Sequence, residues 1–184
     1  MSEHTAVEAF AAAASEYCRL IEQIDSHSPS SWLDRVGGVL LCLESGILSL
    51  EIDAPCRSHV WLSSLEKRFE LYTRLKDFLR EHDEYWSEAD LHASDGYMTG
   101  SLSDDFVDSY VELKHGLNSY RQGDDGLRNA VCHWTNGYRQ HWRQHLTDAR
   151  KQLFEFRDRH VDPSKTKRRG KHATVSLKPP AKRQ

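Results

Sequence analysis

Two histidines four residues apart, His141 and His145, are the side chains in this 184-residue chain whose type and spacing point most directly to chemistry. At i and i+4 on a helix, two imidazoles share a face and can share one metal ion. Both fall within roughly 60° of the stripe marked by Trp134, Tyr138 and Phe156, so both are expected to face a bundle interior. Asp148 flanks that face one turn on. Glu44 lies between Leu40 and Ile47 on the apolar face of an earlier helical segment, where a carboxylate must be paired or protonated. The expectation is an interior His–His–Glu–Asp hydrogen-bond network that sets helix register. The alternative is a metal ion, zinc or iron, held by His141, His145, Glu44 and Asp148. No Glu-x-x-His pair accompanies the histidines, so no cofactor is the first expectation.

Asp104, Asp105, Asp108 and Glu112 form a second acidic cluster. On a helical wheel Asp104 and Asp108 point roughly 140° from the stripe of Phe106, Tyr110 and Leu117, which predicts dipole partners and a solvated face. Arg128 and His133 have the Arg-x4-His spacing and resemble the motif of HEPN-type ribonucleases. That resemblance implies an Arg for the phosphate and a His for the 2′-hydroxyl proton, and it is a minor alternative. Cys18, Cys42, Cys56 and Cys132 contain no Cys-x-x-Cys pair and are expected to be free thiols. No phosphate loop or nucleophile elbow is present.

The elements that must carry these residues read as helices. Val7, Phe10, Ala14, Tyr17 and Ile21 mark a first helix, and Leu33, Val36, Leu40, Leu43 and Ile47 a second. Trp61, Leu65, Phe69, Tyr72, Leu75 and Leu79 place a third over 58–82. Ser101, followed by Asp104 and Asp105, is a strong start for a fourth. A long last helix is expected over 127–160. No segment alternates convincingly as a strand. The connection over 81–100 is acidic, and its Tyr85 and Trp86 are expected as aromatic anchors for a protein partner.

Charge divides the chain. From Pro163 onward there are eight Lys and Arg and no acid, which leaves 17 cations against 28 acids in the rest. The prediction is an acidic helical domain over 1–162 and a basic, disordered tail over 163–184. Lys167, Arg168, Arg169 and Lys171 would be its contacts to nucleic acid, against a tail that docks on the acidic body. Mean hydropathy is −0.72, and no apolar run approaches a membrane span. Met1-Ser2-Glu3-His4 carries no positive region of a signal peptide, so a cytoplasmic protein without membrane contact is expected.

The second half of the chain carries a family pattern. Its first block is Ser101-Leu102-Ser103-Asp104-Asp105-Phe106-Val107-Asp108-Ser109-Tyr110, with Leu113-Lys114 and Gly116-Leu117 after it. Its second block is Trp134, Gly137, Tyr138, His141-Trp142, His145 and Asp148-Ala149. On these motifs the chain resembles the bacterial domain-of-unknown-function 5063 family. Arg143 stands where that family usually has Gly, and the basic tail is additional. The resemblance implies an all-helical bacterial cytoplasmic domain and no particular activity.

Together these readings predict an all-α bundle of about five helices with a long C-terminal helix. The expected function is non-enzymatic protein–protein contact, as an adaptor or an immunity-type component. The alternatives are a metal-binding bundle enzyme using His141 and His145 with Glu44, and a HEPN-like ribonuclease using Arg128 and His133.

Overall fold

The computed structural model describes residues 3–50, 64–88 and 97–161. It is an all-α bundle with one small hairpin. Helices α1 (Glu3–Glu22), α2 (Pro29–Ile47), α3 (Leu65–Leu79), α4 (Leu102–Tyr120), α5 (Asp124–Gly137) and α6 (Arg143–Val161) form it. A π-helical segment, Tyr138–Trp142, joins α5 directly to α6, so the last three elements make the long helix expected from the sequence. By internal contacts the chain divides after Leu153 into a main unit and a second unit that starts at Phe154 with the last turns of α6. The boundary expected at 162 and the basic tail with Lys167, Arg168, Arg169 and Lys171 lie outside the described residues.

Local sequence explains the helix ends. Ser28 Oγ accepts from the Ser31 N–H, and Pro29 opens α2 where a missing N–H costs nothing. Ser64 caps α3 by accepting from the Lys67 N–H. That helix therefore starts later than position 58, and 58–63 lie outside the described residues. It buries Leu75 and Leu79, while Leu65 and Phe69 are 79% and 69% exposed.

The core is aromatic. Trp32, Trp134, Trp142, Tyr17, Phe10 and Phe106 are fully buried. The rings of Phe10 and Trp134, and of Trp32 and Phe106, meet edge to face at 4.9 and 5.2 Å. Helix α4 is the centre of the bundle and packs against α1, α3, α5 and the π segment. Having neighbours on several sides, it buries polar positions along with its apolar stripe, among them Ser103, Asp105, Asp108 and Ser109.

Two expectations are corrected here. Strands β1 (Glu84–Glu88) and β2 (Tyr97–Ser101) pair antiparallel where no strand was expected. Five residues each are too few for a period of two to stand out. Tyr85 pairs with Gly100 in register, and a Cβ at Gly100 would lie 2.2 Å from Tyr85 Cζ, so the glycine makes room for the ring. Among the cysteines, Cys18 and Cys42 are free as expected, but Cys132 is disulfide-bonded.

Candidate metal centre

The site is built by α4 and the junction of the π segment with α6. Helix α4 begins at a dense cap. Ser101 Oγ accepts from the Asp104 N–H and donates to Asp83 Oδ2 at 3.0 Å. The fully buried Asp83 carboxylate also accepts from the Ser103 N–H at 2.7 Å and from the Ser103 hydroxyl. The Ser101 hydroxyl and the Asp83 carboxylate thus satisfy two of the free donors of the first turn.

Asp105 and Asp108 are each only 5% exposed. Asp105 Oδ2 accepts from the Tyr85 hydroxyl at 2.6 Å, and Asp105 Oδ1 lies 2.9 Å from His145 Nδ1. Asp108 Oδ1 is paired with the Arg68 guanidinium of α3. Asp108 Oδ2 faces both histidines, at 3.2 Å from His145 Nε2 and 3.7 Å from His141 Nε2. His141 Nδ1 is 3.1 Å from Glu112 Oε1. Each imidazole therefore has a carboxylate on Nδ1 and the same Asp108 oxygen before Nε2. The His141 side chain is 47% exposed, so the cluster opens to solvent on that side.

Burial sets the electrostatics. It pushes the Asp105 carboxyl above the usual carboxylate range despite the hydrogen bonds from His145 and Tyr85. It also raises Asp108, with Arg68 and His145 opposing. The hydrogen bond to Asp105 raises His145, against its own burial. Burial and Asp105 together hold the Tyr85 phenol far above its ordinary value, so it is a hydrogen-bond donor at all physiological pH.

This arrangement differs from the one expected. His141 and His145 do come together, but at a half-open edge. Glu44 does not join them: its carboxylate pairs with Arg150 and ties α2 to α6. Asp148 accepts from Gln144 Nε2 at 2.8 Å on its own helix and influences the cluster only as a neighbouring charge. The carboxylates at the histidines come from α4, in the cluster expected to be solvated. Asp104 does keep to the surface, but Asp108 does not. The wheel measured angles from a single apolar stripe, whereas α4 is covered on several sides. Tyr85 is buried and hydrogen-bonded to Asp105, so it is not available as a surface anchor; the side chain of Trp86 lies outside the described residues. Arg128 is exposed, and the His133 ring packs edge-on against His115 with centroids 4.0 Å apart. Five positions on a helix turn the two side chains about 140° apart. Sequence reasoning missed Asp83, Tyr85 and Arg68 as parts of the site. The run Ser101 to Asp105 was the available signal for a buried cap, but its acceptor lies across the hairpin.

Fold and site together define a helical-bundle protein with a mixed histidine–carboxylate centre. The family model described as "Domain of unknown function (DUF5063)" matches residues 2–158, and the chain belongs to that family. Among solved structures it is similar to protein BF1032 from Bacteroides fragilis, at 21% identity and a TM-score of 0.67, over 82% of this chain and 91% of that one. At that identity the likeness concerns the fold alone. No curated protein matches the chain.

Proposed function

We propose that the protein binds one divalent first-row metal ion, zinc or iron(II), through Asp108 Oδ2, His141 Nε2 and His145 Nε2. One observation carries this reading: two imidazole Nε2 atoms converge on a single carboxylate oxygen, and the three ligand atoms lie within 4.8 Å of one another. A carboxylate can only accept, so Asp105 and Glu112 each draw the imidazole proton to Nδ1. A ring without a proton on Nε2 turns a lone pair toward Asp108 Oδ2. Acceptors then face an acceptor unless a proton or a metal ion stands between them. One proton can bridge one of the two contacts; a divalent ion serves both. Tetrahedral ligands about 2.0–2.1 Å from zinc sit about 3.3 Å apart; the His145 contact to Asp108 already has that spacing, and His141 would move inward.

Glu112 and Asp105 have the part that carboxylates take behind metal-bound histidines, fixing tautomer and ring orientation. Two histidines and one carboxylate, with the other positions open, is the pattern of catalytic rather than closed structural metal sites. A metal there would supply Lewis acidity and an activated water. Calorimetric titration with zinc and with anaerobic iron(II) tests the reading. The expected result is one site per chain, weakened at least 100-fold in Asp108→Asn and His145→Ala and unchanged in Glu44→Gln. Wild-type protein that binds neither ion overturns it.

Protein contact is the second reading, favoured by Leu65 and Phe69, large apolar side chains exposed one turn apart on α3. A partner that co-purifies with the wild type and is lost from Phe69→Ser would support it.

A further inference from the structure

The π segment is not required by chain length or by proline, and it lies where His141 leaves the helix. π-bulges inside α-helices occur frequently at functional sites. Widening one turn weakens the backbone ladder. The Tyr138 N–H is shared between the carbonyls of Trp134 and Thr135. Trp142 compensates: its indole Nε1 donates to the Trp134 carbonyl at 3.2 Å, eight residues back, from a fully buried position. Gly137 opens the same turn. A Cβ there would lie 2.7 Å from Glu112 Oε2 and 3.1 Å from both Cδ1 and Nε1 of Trp142. The space left by the missing side chain is thus shared by the indole that braces the turn and the carboxylate that holds His141 Nδ1.

We propose that Trp142 and Gly137 are positioning residues that hold the π turn and so aim His141 at Asp108 and Glu112. The metal-affinity consequence rests on the metal reading above; the aim of the imidazole does not. In a regular α-helix the residues beyond the turn would be rotated against α5 by one residue's step, about 100°, which would swing the histidine face away from α4. Neither residue touches the metal position, so both act through His141.

Two variants test this, because Trp142→Phe alone could loosen the core. Trp142→Phe removes the N–H and keeps an aromatic ring. Gly137→Ala leaves every hydrogen-bonding group in place, and in an ordinary helix interior it would be stabilising. The first readout is the pair of 15N chemical shifts of the His141 ring at fixed pH, without metal. The wild type should show the Nδ1–H tautomer, and both variants should shift toward a mixture of tautomers. The second readout is the cobalt(II) visible spectrum and zinc affinity, with about a tenfold loss expected in each folded variant. Unaltered His141 shifts in a folded Gly137→Ala protein overturn the proposal, whatever Trp142→Phe does. If wild-type protein binds no zinc or cobalt, the metal reading fails by itself, and the ring shifts still decide the positioning role.

Discussion

Asp105 is held from two directions, by a phenol on one oxygen and an imidazole on the other. A buried carboxylate needs such partners, since leaving it unsatisfied costs more than the hydrogen bond itself contributes. Tyr85→Phe keeps the ring that fills the space over Gly100 and deletes only the hydroxyl. The expected cost is about 1–3 kcal/mol in urea unfolding, because the lost bond goes to a charged, buried acceptor. A loss below a few tenths would mean that water replaces the phenol. In the same variant the Asp105 carboxyl should rise further, having lost one of the hydrogen bonds that lower it, and carboxyl carbon shifts measured against pH would show it.

At the scale of elements, the hairpin and the α4 N-terminus act as one unit. Ser101 is the last residue of β2 and the cap of α4, and its hydroxyl bridges the α4 backbone and Asp83. The Asp83 carbonyl accepts from the Leu102 N–H at 2.9 Å, so backbone and side chain of one residue both hold the helix start. Ser101→Ala should cost about 1 kcal/mol for the cap, with some addition from weakening the buried Asp83 cluster. Hydrogen exchange should localise the effect to the first turn of α4 and to β2. Uniformly faster exchange across α1 and α2 would contradict this coupling.

At the scale of the whole molecule, polar contacts tie α1 to the central helix α4. Tyr17 donates to the Phe106 carbonyl at 3.0 Å in the core. Glu22, at the end of α1, accepts from Lys114 Nζ at 2.5 Å and Tyr110 Oη at 2.8 Å on α4. Partial burial pushes the Glu22 carboxyl up, but those two hydrogen bonds outweigh it and hold it below its ordinary value. A folded pKa below the unfolded one stabilises the ionised state. That stability is complete above the unfolded pKa and is lost as pH falls through the folded one. Glu22 is 44% exposed, so Glu22→Gln should cost only about 0.5 kcal/mol at pH 7. The gap between wild type and variant should close below about pH 4, near the ordinary glutamate range. Thermal melts of both proteins from pH 7 to pH 3 would check it, and a gap that widens with acid would refute it.

Residue spacing was enough to determine that the chain is helical, where α4 starts, and that His141 and His145 share a face. Those properties come from intervals of three and four residues and from single capping side chains, which act over one turn. Which carboxylates meet the histidines was decided only by tertiary structure. Glu44 looked apolar-facing on its own helix, yet Arg150 reaches it from α6. Asp108 looked solvated on its own helix, yet α3, the π segment and the start of α6 bring Arg68, His141 and His145 to its oxygens. A wheel knows one helix and no neighbours, whereas burial on a central helix is the sum of everything packed around it.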